Sequence, residues 1–372
     1  MKKPIQGREQ TILPFSRYIT PGMNQFHFRS SQLRWLAAAI LASFLSFFFC
    51  GLFLAGKARA DEGVCQGIDL VAELAEQDPV LLQRIKAEAA SIPNGDRLLW
   101  RVEKGSSKPS YLFGTMHVTD PRVTELPRSA KDAFTAAETV VIETTDILDK
   151  QAMMAAMAAK PELMMFPGKE TLADHLSAEE SQIVEKALQE RGMPLQSVAK
   201  MKPWILISLV SLPECEIKRQ QQGTPVLDAK LAMEAKAAGK QIAGLETVEE
   251  QLSAMASLPM ELHIQGLVGT LALGDRMDDL IETMISLYLA GEPGMFRPAL
   301  SELLELEGRE EADYAEFEKR MVEMRNHVMA ERAEPLLEKG GAFIAVGAMH
   351  IPGETGLVSL LRQAGYRVTP AD

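Results

Sequence analysis

Cysteine is nearly absent from this chain: three residues in 372. Neither Cys65 nor Cys215 has a histidine in sequence reach, so a thiol nucleophile is a poor reading. Cys50 follows Phe47-Phe-Phe, not the small residues that precede a lipidated cysteine, which argues against a lipoprotein. Positive charge is scarce beyond residue 60, where 31 Lys and Arg face 50 Asp and Glu, a net of −19. A body this acidic argues against nucleic acid and anionic membrane surfaces as partners. Acid, in turn, is scarce in residues 1–60, which hold eight basic residues and only Glu9 against them.

That basic segment leads into an apolar run over 35–55 and then Ala58-Arg-Ala60, followed by Asp61. Basic region, apolar core and small-x-small site in that order describe a secretory signal cut after Ala60. Met23 offers a second start that would give the signal a more usual length. Left uncut, the run of roughly 20 residues is long enough to span a bilayer. The sequence therefore predicts a periplasmic or secreted body over 61–372, or an inner-membrane anchored one. In an oxidising compartment Cys65 and Cys215 form a disulfide; two unpaired thiols is the other reading.

The body has ordinary globular composition, 47% hydrophobic and 24% charged. Residues 61–94 read as helical up to the Pro93-Asn-Gly95 turn signal. Segments 97–102 and 110–113 read as two strands at hairpin spacing. A helix over 129–137 precedes the β-branched run 139–142, short enough to be a buried strand. Residues 146–239 read as mostly helical, with a methionine-rich stretch over 151–166 and a capping box at 177–180. Strand 240–245 ends on Glu246, and a second capping box at 247–250 opens helices that run to 338. The heavily charged 301–338 reads as a solvated helix face. Strand 342–346, helix 355–364 and strand 366–369 then predict a parallel, right-handed β–α–β unit. The expected fold is α/β (α+β-like): a small central mixed sheet with a large helical cover formed by 147–240 and 247–340.

Chemistry concentrates where strands end. Ser110-Tyr-Leu-Phe-Gly-Thr-Met-His117 is an apolar strand closing on Gly-x-x-His, and Ala342-Phe-Ile-Ala-Val-Gly-Ala-Met-His350 repeats the pattern. Glycine lets the backbone leave a strand at dihedrals other residues avoid, placing each histidine at a tip, where α/β sheets collect ligands. Strand 139–142 ends on Glu143 and strand 240–245 on Glu246. Two histidines and a carboxylate make a common catalytic metal set, so His117, His350 and Glu143 are expected to bind a divalent ion. Zn, Mn, Fe and Co all suit such ligands. Glu246 is the expected base or orienter. Arg325 is placed to stabilise an oxyanion and Asn326 to donate a hydrogen bond. Each carries a bland alternative: turn histidines, a surface arginine, and helix caps at Glu143, Asp228 or Glu246.

Several of these residues fall in one pattern. Gly114-Thr-Met-His117, Leu126-Pro127, Val141-Ile-Glu143, Leu227-Asp228, Gly244-Leu-Glu-Thr247 with Gln251, Arg325-Asn326 and Val346-Gly-Ala-Met-His350 with Pro352-Gly353 resemble the TraB/GumN family, from about residue 98 to 368. That family is related to the Tiki metalloproteases and, more distantly, to erythromycin esterases and haem-binding lipoproteins. The resemblance implies roles for His117, His350 and Glu143, and a peptidase-like, metal-dependent hydrolase acting on a peptide or other small substrate. Met329 stands where the family usually has an aromatic, a departure that bears on packing more than chemistry. A periplasmic haem- or metal-binding protein without turnover is the second reading.

Overall fold

β3 (Thr139–Ile142) and β5 (Ala342–Gly347) are buried along their whole length and lie side by side inside the sheet. Continuous apolar runs of this kind belong to parallel strands covered on both faces. β5 lies between β3 and β2 (Ser110–Thr115), and β4 (Gln241–Gly244) pairs with the outer side of β3; every one of these pairings is parallel. β1 (Leu99–Glu103) returns antiparallel on β2, and β6 (Arg367–Pro370) is antiparallel on β1. The order is β4-β3-β5-β2-β1-β6, a mixed sheet as expected. These strands come from a computed structural model that describes residues 65–304 and 309–371. The export segment expected over 1–60 lies outside the described residues.

Alternate side chains of the strands supply two different cores, as the two-residue period requires. Phe113, Val140, Ile142, Phe343 and Ala345 point to one side. They meet α1 (Leu70–Gln77), α2 (Pro79–Ser91), α3 (Arg128–Ala136), and further helices from later in the chain. A first group of these later helices is α4 (Lys150–Ala159), α5 (Ala178–Glu190), α6 (Pro203–Val210), α7 (Glu214–Gln221) and α8 (Leu227–Ala237). A second is α9 (Val248–Ala256), α10 (Met260–Leu273), α11 (Arg276–Leu289) and α12 (Phe296–Leu303). Of these, α8, α11 and α12 join the first core. Leu112, Val141, Ile344 and Val346 point the other way, onto α14 (Met324–Lys339) and α15 (Leu357–Gln363). α4, α5, α6, α9 and α10 build a third, purely helical core together with α13 (Arg309–Glu318). Most of the methionine-rich stretch packs there: Met153 is buried, and Met157 and Met164 lie against the cluster.

Three features depart from the sequence reading. Within the stretch read as helical, residues 65–94 form two helices broken at Asp78, whose carboxylate caps α2 by accepting from Leu81 N. The C-terminal β–α–β unit does not close on itself. Both edges of β5 are taken by β2 and β3, so the chain passes through α15 to put β6 on the free edge of β1, its sense parallel to β5 but with two strands between them. The charged segment 301–338 is not one solvated face, because Arg325, Asn326 and Met329 are buried. A π-helical turn, Lys319–Glu323, separates α13 from α14 immediately before Arg325, a device found often at functional sites. Cys65 and Cys215 are disulfide-bonded. Among the described residues no helix is long and apolar enough to cross a membrane.

Phe343 joins the first core to the sheet through its rings' contacts with Phe113 and Phe134. Phe343→Ala is expected to cost about 3–5 kcal/mol, read as a lower urea midpoint at unchanged slope. A loss below about 1 kcal/mol would mean that this contact is not central to the packing.

Candidate functional site

Parallel pairing puts the carboxyl ends of β4, β3, β5 and β2 on one edge of the sheet. Glu246, Glu143, His350 and His117 follow those ends in that spatial order. The two Gly-x-x-His loops touch. A Cβ on Gly114 would stand 3.1 Å from the Ala348 Cα and 3.2 Å from Ile351 Cγ1. Gly114 is thus required for close approach of the loops, not for an unusual dihedral; Gly347 likewise has an ordinary φ of −51°. Tyr288 on α11 donates from its buried hydroxyl to Gly114 O at 3.0 Å, bracing the end of β2.

Glu143 is the hub. Its Oε1 accepts from Gly347 N at 2.7 Å, and its Oε2 accepts from Arg325 Nη2 at 2.7 Å and Gln251 Nε2 at 3.1 Å. Oε1 also faces both histidines, 4.0 Å from His117 Nε2 and 3.7 Å from His350 Nε2. Arg325 binds Glu246 through Nε and Nη2, and its Nη1 donates to Met321 O, a carbonyl of the π turn. One guanidinium therefore holds two buried carboxylates and the helix distortion that delivers it.

The tautomers follow from the hydrogen bonds. Asn326 Nδ2 donates to Thr355 O, so its Oδ1 accepts from His350 Nδ1 at 2.6 Å. The Nε2 lone pair of His350 is left facing Glu143. His117 Nδ1 lies 2.7 Å from Asp228 Oδ2, an ion-pair contact whose alignment falls short of a directed hydrogen bond. Asp228 Oδ1 accepts from Thr115 Oγ1 at 2.8 Å. Nε2 of His117 is buried with no hydrogen-bond partner.

The two rings differ electrically. Burial pushes His117 down, but the Asp228 carboxylate more than offsets this and its pKa ends up raised. Burial, reinforced by the Arg325 charge, pushes His350 down to about 3. For Glu143 burial favours the neutral form, yet Arg325 and the two imidazoles prevail and hold it below its ordinary 4.5. Glu246 goes the other way, because burial outweighs its bonds to Arg325.

The donors fit a divalent cation. Two buried carboxylates, Glu143 and Glu246, share the buried Arg325, a third, Asp228, stands against His117, and two imidazoles turn Nε2 toward one oxygen of Glu143. Ligands bound at about 2.0–2.2 Å in a tetrahedron stand about 3.3–3.6 Å apart, a little closer than the separations here. Among the described residues no three His, Cys, Asp or Glu groups stand ready-assembled around one point, so binding requires the two imidazoles and the carboxylate to draw together. His117, 11% exposed against 2% for His350, marks the open side.

Every site residue expected from the sequence comes to this edge. His117, Glu143 and His350 meet directly; Glu246, Arg325 and Asn326 stand behind them, bonded to one another or to a histidine. Asp228 and Thr115 were not expected to act here. Asp228 opens α8 and reads in sequence as a helix-start acid, so only its position after Leu227 in the family pattern pointed to it.

Residues 98–370 match the TraB/PrgY/gumN family. Relatives include a protein called Metalloprotease TIKI homolog from Nematostella vectensis, 27% identical over 321 residues, covering 74% of this chain and 67% of its own. Human Metalloprotease TIKI1 is 28% identical over 321 residues, covering 73% and 61%. The Shigella flexneri protein YbaP, described as uncharacterized, is 22% identical over 293 residues, covering 76% and 99%. The chain thus spans about three fifths to two thirds of the length of these metalloproteases. No solved structure matches.

Arg325→Met leaves two buried carboxylates unpaired and is expected to cost about 3–5 kcal/mol at pH 7 in excess chelator. In the parent, Glu143 titrates lower folded than unfolded, so its contribution is present above pH 4.5 and is lost as pH falls below it. Without Arg325, burial raises both carboxyls and the sign reverses: the variant recovers stability as pH falls. Urea unfolding at pH 7 and pH 4.5 checks this, the gap between the two proteins narrowing at the lower pH. An equal gap at both would contradict the pairing.

Proposed function

The chain belongs to the TraB/PrgY/gumN family, and we propose that within it this protein is an exported, metal-dependent hydrolase acting on peptides. One observation carries the reading: the Nε2 atoms of His117 and His350 face the same oxygen of Glu143, each ring turned by a partner on its Nδ1. The relatives named as metalloproteases support the reaction class.

His117, His350 and Glu143 would hold the cation. Bound there, a divalent ion supplies Lewis acidity to a carbonyl and makes water acidic near neutral pH; Zn, Mn, Fe and Co all suit this donor set. The remaining groups act through these three. Asn326 keeps the proton of His350 on Nδ1, so that Nε2 stays a free donor, and the low pKa of that ring keeps it neutral across the physiological range. Asp228, fixed by Thr115, faces Nδ1 of His117 from the other side and leaves that ring's Nε2 turned toward Glu143. Such partners usually govern ligand orientation and metal affinity.

Arg325 keeps Glu143 ionised in a site where burial alone would neutralise it. Glu246 and Gln251 hold Arg325 and Glu143 in register. Glu246 is therefore an orienter in this reading, since both its oxygens are engaged by Arg325. Substrate reaches the cluster from the side of His117. The segment over 1–60 supports export through its basic, apolar and small-x-small order.

Elemental analysis of purified protein is expected to find one divalent ion per chain, lost from His117→Ala and His350→Ala while their circular dichroism is unchanged. Asn326→Ala should bind the ion about 10–100-fold more weakly. Cleavage of a peptide library supplied with Zn, Mn, Fe or Co should follow the metal content of each variant. Stoichiometric metal without cleavage under any ion would favour the alternative, a haem- or metal-binding protein without turnover. Wild type free of metal after loading would overturn the proposal.

A further inference from the structure

Two residues beyond His117 the chain enters a second buried polar cluster that the proposed chemistry does not use. Thr119 and Asp120 are 1% and 0% exposed. Thr119 N donates to Glu216 Oε1 at 2.6 Å, and Thr119 Oγ1 donates to Glu216 Oε2 at 2.9 Å. Thr119 Oγ1 also accepts from Arg219 Nε at 2.9 Å. Glu216 and Arg219 face each other at 2.9 Å, both buried on α7. This is a charge-assisted grip on a single threonine, and it comes wholly from one helix of eight residues.

The disulfide stands at the same place. Cys215 is on α7 beside Glu216, and Arg219 Nη2 donates to Cys65 Sγ at 3.2 Å with the same nitrogen that holds Glu216. Cys65 begins a segment docked on α11. Ile68 N donates to Asp279 Oδ1 and Leu70 N to Thr283 Oγ1, while a Cβ on Gly67 would fall 2.2 Å from Asp278 O. Arg122, closing the His117 loop, bridges Asp120 and Glu282 of α11. The loop therefore lies between α7 and α11, and the bond from Cys65 to Cys215 joins the two.

We infer that the Cys65–Cys215 disulfide positions His117 through Glu216 and Arg219, and that its reduction by a dithiol loosens the His117 loop and weakens the site's hold on a divalent cation. Cys215 is the more exposed sulfur side. A reductant thiolate attacks its Sγ, the S–S bond breaks, and the electron pair leaves on Cys65 Sγ, beside the Arg219 guanidinium that stabilises a thiolate. The second thiol of the reductant then attacks the mixed disulfide and releases Cys215. The reductant ends as a cyclic disulfide, having passed two electrons and two protons to the protein. A thiolate at Cys65 competes with Glu216 for Arg219, and the tie between α7 and α11 is gone. The cation arm of this inference rests on the proposed metal site; the loop arm does not.

Hydrogen exchange on the full chain, oxidised and after dithiothreitol, reads the loop directly. Peptides covering 118–122 are expected to exchange about tenfold faster on reduction, with β3 and β5 unchanged. Cys65→Ser/Cys215→Ser should match the reduced protein. Oxidised Glu216→Gln should already be fast and gain nothing further from reduction. Zinc affinity, measured by chelator competition, should fall about 10–100-fold in parallel. Unchanged protection of 118–122 after reduction would overturn the inference. Loss of protection in β3 and β5 together with the loop would do so as well, since the bond would then hold the whole fold and not this loop. Absence of zinc binding in every form would count against the metal reading alone, the exchange result still deciding the loop.

Discussion

A single buried guanidinium decides what this site can be. Arg325 lies between Glu143 and Glu246, within 2.7 Å of an oxygen of each. Two carboxylates buried so closely repel each other and invite protons. With the arginine present, Glu143 stays ionised and offers Oε1 to two imidazoles; without it, the same oxygen would be neutral and a poor ligand. Buried ion pairs of this sort add little net stability. Their value here is the charge state and direction of one carboxylate. The π turn at Lys319–Glu323 belongs to the same constraint, because Arg325 satisfies a carbonyl of that turn while reaching the strand ends.

The sheet makes the constraint useful. Four consecutive neighbours, β4, β3, β5 and β2, run parallel, so side chains from distant stretches of sequence arrive at one edge without any long loop having to carry them. Gly114 allows the two motif loops to touch, and each histidine receives a partner from a helix packed on a different face: Asn326 from α14, Asp228 from α8. The rings are oriented from opposite sides, while the oxygen they share is fixed by Gly347 N from within the sheet. The candidate ligands are thus oriented by partners on packed helices and on the sheet, the arrangement that precise metal binding needs.

Much of this was legible in the sequence, for a physical reason. Short apolar runs that stop abruptly on Glu143, Glu246, or Gly-x-x-His announce both a strand and the side chain at its tip, so the strands and their terminal residues could be read together. What escaped reading depends on tertiary choice. Asp228 looks like any acid opening a helix, and only the fold shows that it faces His117. Arg325 sits in a charge-rich segment whose local pattern suits a solvated surface, and burial is decided by where the π turn aims it. The placement of β6 could not be read because it depends on which edge is still free, a property of the assembled sheet. For Gly114 the need for glycine was legible but its cause was not, since close approach involves Ala348, far away in the chain.

The proposed chemistry requires His117, His350 and Glu143 to share one cation. A crystal structure of zinc-loaded protein, with anomalous difference maps collected on either side of the zinc edge, tests it most directly. One strong peak is expected within bonding distance of both Nε2 atoms and Glu143 Oε1, with Arg325 still bridging Glu143 and Glu246. A peak elsewhere, or none between the two rings at full loading, would contradict it.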